Sequence, residues 1–389
     1  MGMRDRIDRL LREHGRPAQV YQAPGRVNLL GEHTDYSGGF CMPAALNFNT
    51  LVAASPRQDR LLRLHSLDFS ETVEVDLGAL AIPAKDGHPR WNHYCEGVAW
   101  SLQQEQGIEL GDIELIGADL TLSGNVPQGA GLSSSASVEV ATATALLGLA
   151  GRGLPKPQIA LACQRAENQY VHGSCGIMDQ FISACGVRGN ALAIDTRALT
   201  AELAPIPDNL RLVVCNSMVT HQVAGASPYA ERRREVEEAA HVLGRQLRDV
   251  SLEELNAARG QMSHEAFLRA RHVITDSQRV VEGVACLRAG DQKRFGALMT
   301  EAHASFRDDF AASCERCDLL VTLALELDGC LGSRLTGGGF GGCTVSLVEA
   351  DEAESFAETL REHYREATGV VAQVFVCVVA DGAGPVPST

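Results

Sequence analysis

Three glycine-bearing segments gather the side chains best able to bind or activate a ligand. The first, Gly25–Gly39 (GRVNLLGEHTDYSGG), sets Arg26, Glu32, His33 and Asp35 around a short apolar strand, VNLL. A strand ending in a turn that displays Glu-His-x-Asp presents both donors and acceptors, the combination a polyol requires. The same residues would also serve an ordinary polar hairpin turn. The second, from Ser123 (SGNVPQGAGLSSSASVEVATATALL), is a loop rich in Gly and Pro that opens through Ser133, Ser134 and Ser135 into an Ala/Val/Leu helix pattern. A helix N-terminus entered from a flexible loop attracts anions, because unpaired N–H groups and the positive dipole end face the ligand. A serine-capped helix without a ligand is the competing reading. The third, from Thr336 (TGGGFGGCTVSL), has five glycines in six positions, so backbone can approach a ligand or another loop closely. An apolar strand follows it rather than a helix, which argues against a dinucleotide fingerprint.

Two acidic residues join these segments. Asp179 stands in apolar company in GIMDQFISACG, an expensive position unless the carboxylate is paired or used in chemistry. Glu167 lies twelve residues upstream, on a helical pattern that also carries Arg165. Absent motifs narrow the reading. The chain has no GxxxxGK[ST] and no HExxH, which removes support for a P-loop NTPase and a zinc protease. Its three lysines lie in polar or Pro/Gly-flanked settings, unlike the desolvated pocket of a Schiff-base lysine. Any phosphate handling falls to arginine, metal and backbone N–H groups.

Composition sets the class. With 389 residues and 45% apolar content the chain can bury a sizeable core. Its net charge of −15 argues against nucleic acid or anionic lipid as a partner. No apolar run is long enough to span a membrane. The opening MGMRDRIDRLLREHG lacks the apolar core of a secretory signal, so a cytoplasmic protein is expected. The twelve cysteines are scattered, as buried free thiols would be. The one CxxC, Cys314–Cys317, has no second pair at zinc spacing, and neither a metal nor a redox role is assigned to it here.

Strand-like runs (61–65, 72–75, 113–122, 191–194) and helical patterns (91–104, 134–149, 158–171) alternate through the first half. The Pro-bearing stretch 200–210 is the expected boundary. Long helical patterns follow (228–247, 264–288, 291–310, 315–327), then strands from Cys343 and Val370 flanking a charged helix, 352–367. This order predicts a two-domain α/β or α+β enzyme, with domains at 1–200 and 201–389.

Taken together and in this order, the segments resemble the galactokinase family of the GHMP small-molecule kinases. GRVNLLGEHTDYSGG resembles that family's own signature, PQGAGLSSSAS the superfamily's phosphate loop, and LTGGGFGGC its C-terminal glycine motif. CGIMDQF and RARHVITDSQRV match as well, so the likeness runs over nearly the whole chain. The resemblance implies an N-terminal α/β domain with ribosomal-protein-like topology, a C-terminal ferredoxin-like domain, and an active site in the cleft between them. It implies transfer of the ATP γ-phosphate to the anomeric hydroxyl of D-galactose, the first committed step in using that sugar. Asp179 and Arg26 would then be the catalytic pair. Galactose would be held by Glu32, His33, Asp35, the backbone at Gly176, Asp179 and Tyr229. ATP would lie along Gly129, Ala130, Gly131, Leu132, Ser133, Ser134 and Ser135, with Trp91 and Tyr94 lining the adenine pocket. Mg²⁺ would be ligated by Ser135 and Glu167. The expected partners are galactose and ATP alone, and the expected state is a monomer. Two rivals are a sugar-and-ATP sensor, disfavoured because the Ser135-Ala136 pair such proteins lose is intact, and a kinase for N-acetylgalactosamine.

Overall fold

A computed structural model describes residues 2–84, 89–104, 113–219 and 228–387. Its first half contains α1 (Met3–His14), β1 (Gln19–Asn28), β2 (Phe40–Cys41), β3 (Pro43–Pro56), β4 (Leu61–Ser66), β5 (Glu71–Asp76) and α2 (Trp91–Leu102). These are followed by β6 (Ala118–Gly124), α3 (Ser134–Leu149), α4 (Lys156–Arg165), α5 (Met178–Cys185), β7 (Asn190–Asp195) and β8 (Thr200–Pro205). The second half contains β9 (Leu210–Asn216), α6 (Pro228–Leu243), α7 (Leu252–Ala257), α8 (His264–Ala289), α9 (Gln292–Asp308) and α10 (Glu315–Leu325). It closes with β10 (Cys330–Thr336), β11 (Cys343–Glu349), α11 (Ala353–Thr368), β12 (Gln373–Cys377) and β13 (Gly384–Pro385).

Six strands form one sheet in the order β13-β1-β3-β6-β4-β5. The helices α2, α3, α4 and α5 share a core with that sheet. α3 is apolar on all sides, as its Ala/Val/Leu run requires, and is accordingly buried on most of its surface. A second sheet, β10-β11-β9-β12, is fully antiparallel. Counting β9 as its first strand, the spatial order is 2-3-1-4 with a helical crossover before the second and fourth strands, the split-βαβ topology expected of a ferredoxin-like domain. The halves are welded by a shared cluster in which Leu29, Leu30, Met42 and Leu46 meet Leu212, Val214, Phe295 and Leu298.

Several expectations need correction. The expected boundary stretch opens with a strand: Thr200–Pro205 pairs with β7 as the edge of a three-stranded sheet, an edge position that tolerates Pro205. The strand expected from Ile113 begins only at Ala118. The helix expected over 158–171 ends at Arg165 and passes into a widened turn, closed by a Val171 N–H to Ala166 C=O bond of 3.0 Å. Strands β3 and β10 were not anticipated, since small residues and glycine mask their alternation.

Candidate active site

Arg26 sits just after a register shift in β1, where Gly25 alone stands opposite three residues of β3, 46–48. A Cβ on Gly25 would stand 2.7 Å from the Leu132 carbonyl, so the missing side chain lets the serine loop lie against the strand. The Arg26 N–H donates to Leu132 O (3.0 Å), and its Nη1 donates to Gly131 O (2.5 Å). The remaining guanidinium edge forks onto Asp179: Nε to Oδ1 at 2.7 Å, Nη2 to Oδ2 at 2.8 Å. Asp179 stands in the first turn of α5, and its Oδ2 also accepts from Ser133 Oγ at 2.5 Å. Burial lowers the Arg26 pKa, but Asp179, Glu32 and Asp35 more than offset it, so the guanidinium is held as a cation.

Around this pair lies a cavity of about 260 Å³ lined by Glu32, His33, Asp35, Glu167, Gly176, Tyr229, Gly337 and Gly338, among others. The turn after β1 is fixed from the other half of the chain. Asp276 of α8 is fully buried, and its Oδ2 accepts from the N–H groups of Gly31 (2.8 Å) and Glu32 (2.9 Å). Arg334 of β10, also fully buried, lies 3.8 Å from Asp276 and 3.9 Å from Glu32. Glu32 Oε1 accepts from the Gly337 N–H at 2.7 Å. Burial raises Glu32 to about 7 against the pull of Arg334 and Arg26. His33 donates from Nε2 to Gly338 O (3.2 Å) and accepts at Nδ1 from the Tyr36 hydroxyl (3.0 Å), which assigns its tautomer from the partners. Packed against Phe310 and Tyr229 at 4.4 and 4.8 Å between ring centroids, it is driven down to about 3 by burial and stays neutral. Asp35 Oδ2 accepts from the Met178 N–H at 3.1 Å, and burial, then the charge of Asp179, raises it to about 6. This wall offers carboxylate acceptors, a neutral imidazole and a phenol in one small volume.

A larger cavity, about 470 Å³, lies on the other side of the serine loop. Ser134 and Ser135, in the first turn of the 16-residue α3, line one end of it. Trp91, Tyr94 and Phe69 line it as well. Trp91 stacks on Phe69 with their planes 10° apart, and its Nε1 donates to Glu71 at 2.7 Å. An aromatic wall beside a helix N-terminus suits a ligand with a planar ring at one end and anionic groups at the other.

Between the cavities, Glu167 sits in the widened turn after α4, a geometry frequent at functional sites. Gln180 Nε2 donates to Glu167 at 2.7 Å and to Glu139 at 3.1 Å. Burial, then Asp179, raises Glu167 to about 7, with hydrogen bonds from Cys175 and Ser135 among the opposing effects. Among the described residues no three His, Cys, Asp or Glu side chains converge as a complete metal cage. A hard cation that keeps waters and phosphate oxygens needs only one or two protein oxygens, and the Ser135–Glu167 pair fits that demand. Glu139 is buried beside them, hydrogen-bonded to Glu167 and Gln180, and burial, then the charge of Glu167, pushes its carboxyl well up.

The sequence-derived residues therefore fall into two groups joined by the serine loop, whose Gly131 and Ser133 bond to Arg26 and Asp179. Gly129 is exposed at the rim, whereas Ala130 and Leu132 turn their side chains into the core shared by both halves. Those two can offer a ligand backbone only. Sequence reasoning missed Asp276 and Arg334, although Asp276 lies in the RARHVITDSQRV segment, and it missed Glu139 and Gln180. Gly337 and Gly338, read from the sequence only as glycines that let backbone approach a ligand or another loop, wall the smaller cavity, and Gly337 also lies against Gly131.

The galactokinase galactose-binding signature matches residues 11–56, the GHMP kinase N-terminal domain residues 93–187, and the GHMP kinase C-terminal domain residues 284–366. The chain is 43% identical over 376 residues to a galactokinase of Roseiflexus sp. (strain RS-1), covering 95% of this chain and 93% of that protein. It is 44% identical over 373 residues to the Homo sapiens galactokinase, covering 94% and 92%. In structure it resembles Lactococcus lactis galactokinase complexed with galactose, with a TM-score of 0.90, 30% identity, and coverage of 99% and 100%. A Methanococcus jannaschii mevalonate kinase shares the fold at 19% identity and a TM-score of 0.66, covering 94% and 99%.

Proposed function

The chain belongs to the galactokinase family, and from that premise we propose that it transfers the γ-phosphoryl group of ATP to the anomeric hydroxyl of D-galactose, giving α-D-galactose 1-phosphate and ADP. The observation that carries this reading is the forked Arg26–Asp179 pair, which lines the smaller cavity and is bonded through Gly131 and Ser133 to the loop whose next residues, Ser134 and Ser135, line the larger.

Galactose occupies the smaller cavity, where Glu32, Asp35, Asp179, His33, Tyr229 and the backbone at Gly176 meet its hydroxyls. ATP occupies the larger, its ring against Trp91 and Tyr94 and its phosphates along Gly129–Ser135. Phosphoryl transfer through a loose transition state asks mainly for alignment and charge stabilisation. Arg26 supplies a fixed cationic fork, and the first N–H groups of α3 face the phosphates. Asp179 orients the anomeric hydroxyl and takes its proton as the O–P bond forms. With both its oxygens already bonded to Arg26, late proton acceptance is favoured over early abstraction. Ser135 and Glu167 would hold Mg²⁺, which when bound neutralises phosphate charge as it builds. Glu167, raised to about 7, ionises fully only when a cation or rising pH compensates its burial.

We place the domain division at residues 200 and 201, supported by the four-stranded sheet built wholly from strands after that point, although β8 spans it and β13 returns to the first sheet. We also place the protein in the cytoplasm as a monomer. Twelve free thiols support a reducing compartment, and a single chain builds both cavities. No described helix is long and apolar enough to cross a membrane.

The test incubates purified protein with ATP, Mg²⁺ and a panel of hexoses that includes N-acetylgalactosamine. ADP matching galactose consumed, with the phosphate on the anomeric oxygen by phosphorus NMR, is the expected result. Binding of both ligands without ADP formation would overturn it in favour of a sensor.

A further inference from the structure

The sequence motif left without a role, Cys314-Glu-Arg-Cys317, lies at the start of α10. Cys314 is the residue before the helix, with extended backbone (φ −144°, ψ 156°), and Cys317 falls in the first turn. The Asp318 N–H donates to the Cys314 carbonyl at 2.9 Å, closing that turn and keeping the two residues on neighbouring corners of it. Cys314 is half-buried and reachable, whereas Cys317 is fully buried. One thiol can thus meet a reagent while the other waits beneath it. The Cys317 thiol, then the N–H groups opening α10, hold Cys314 below the ordinary thiol range, whereas Cys317 is pushed above it.

The strap leading into this pair packs behind the wall of the smaller cavity, against its lining residue His33 and the glycine segment that continues from Gly338. Ala312 O accepts from the Phe340 N–H at 2.6 Å, and Gly339 packs so closely that a Cβ there would stand 2.3 Å from the same oxygen. Phe310 packs against His33. Drawing Cys314 toward Cys317 therefore pulls on backbone that supports the Gly337–Gly338 wall.

We propose that Cys314 and Cys317 are a reversible dithiol–disulfide site, in which Cys314 reacts first with a small disulfide such as oxidised glutathione and Cys317 then closes the bond, altering the sugar cavity through the 310–314 strap. In the first step the Cys314 thiolate, its proton lost to solvent, attacks the disulfide; the S–S bond breaks and one glutathione leaves. In the second step the Cys317 sulfur, also deprotonated, attacks Cys314 of the mixed disulfide and the other glutathione leaves. Each leaving thiolate takes up a proton. Two protein thiols are oxidised and one small disulfide is reduced to two thiols.

The experiment equilibrates the full chain in glutathione buffers of graded potential, maps disulfides by mass spectrometry, and measures galactose KM on the same samples. The expected product is a Cys314–Cys317 disulfide that dithiothreitol reverses. Cys314→Ser should abolish it, with Cys314→Ala as a second variant if the serine disturbs the fold, and Cys317→Ala should trap one glutathione on Cys314. Galactose KM should shift by about fivefold in the oxidised form, the low end of ordinary coupling, and not in Cys314→Ser. No oxidation at this pair, a stable glutathione adduct on the native chain, or a disulfide elsewhere would overturn the proposal. An unchanged KM in fully oxidised protein would overturn its link to the cavity. That link rests on the sugar-site reading above, whereas the disulfide map does not, so the two fail separately.

Discussion

The carboxylate of Asp35 occupies the space where a side chain at position 176 would stand. A Cβ built on Gly176 lies 1.9 Å from Asp35 Oδ2 and 2.1 Å from its Cγ. Asp35 is held there by the Met178 N–H, so it cannot withdraw without losing that bond. Gly176→Ala should therefore displace Asp35 and raise galactose KM by about tenfold, the cost of one buried hydrogen bond left unmade. ATP KM should stay within about twofold, because the two binding regions are separate. Steady-state kinetics with each substrate varied checks this, and equal loss for both substrates would contradict it.

Asp179 offers the most direct test of the chemistry. Asp179→Asn is nearly isosteric and keeps one oxygen for Arg26, so the fold should survive while turnover falls by about a hundredfold or more. Near-normal turnover in a folded variant would remove the carboxylate from proton transfer.

Sugar choice follows from the Glu32–Asp35 turn. Galactose and glucose differ in the orientation of one hydroxyl, and a rigid polar wall is left unsatisfied by the misplaced one. We expect native kcat/KM for galactose to exceed that for glucose by about a hundredfold or more. Asp35→Ala should erode this preference and weaken sugar binding more than ATP binding. Similar native values for both sugars would point to a broader kinase.

Glu167 should reveal itself through the metal. Glu167→Gln removes the only charge of the Ser135–Glu167 pair, and the Mg²⁺ concentration giving half-maximal rate should rise by about tenfold. An unchanged Mg²⁺ dependence would move the ligand elsewhere.

The pH dependence of ligand-free stability has a definite sign. Glu32 is raised from 4.5 to about 7, Asp35 from 3.8 to about 6 and Glu167 from 4.5 to about 7, burial being the largest cause in each. Between the ordinary and the raised values the folded chain binds more protons than the unfolded one. Stability conferred by these groups thus falls as pH rises through that window. Buried His33, lowered from 6.5 to about 3, and His272 and His303, lowered to about 4, act with the opposite sign below about pH 6.5. The Tm of the ligand-free protein should therefore drop between about pH 6.5 and about pH 8, and Glu32→Gln, which stays neutral, should flatten that slope. A slope unaffected by Glu32→Gln would show that this carboxyl is not buried as described.

Much of the site was legible in the residue order. Arg26, Glu32, His33 and Asp35 were readable because one turn carries them, and short-range backbone geometry largely sets how a turn displays its side chains. The serine loop was readable for a similar local reason, since glycines followed by serines and a helix-forming run specify a helix N-terminus. The order of strands and helices led only to a two-domain α/β or α+β enzyme; the ferredoxin-like half was implied by the family resemblance, and β10 went unread.

Pairing across the chain was not legible from the residues themselves. Arg26 and Asp179, 153 positions apart, were brought together beforehand only by the family resemblance, and nothing pointed to Asp276 holding Gly31 across 245. Nothing local distinguishes Asp276 or Arg334 from solvated charges, because a buried ion is tolerable only beside the partner that compensates it, and packing chooses that partner. The same holds for Ala130 and Leu132, whose loop reads as ligand-facing while its side chains fill the core. Thus the residue order specified the local chemistry and the family, whereas the closing of distant β1, α5, α8 and β10 on one another decided which charges are buried, how they are paired, and how the two cavities are joined.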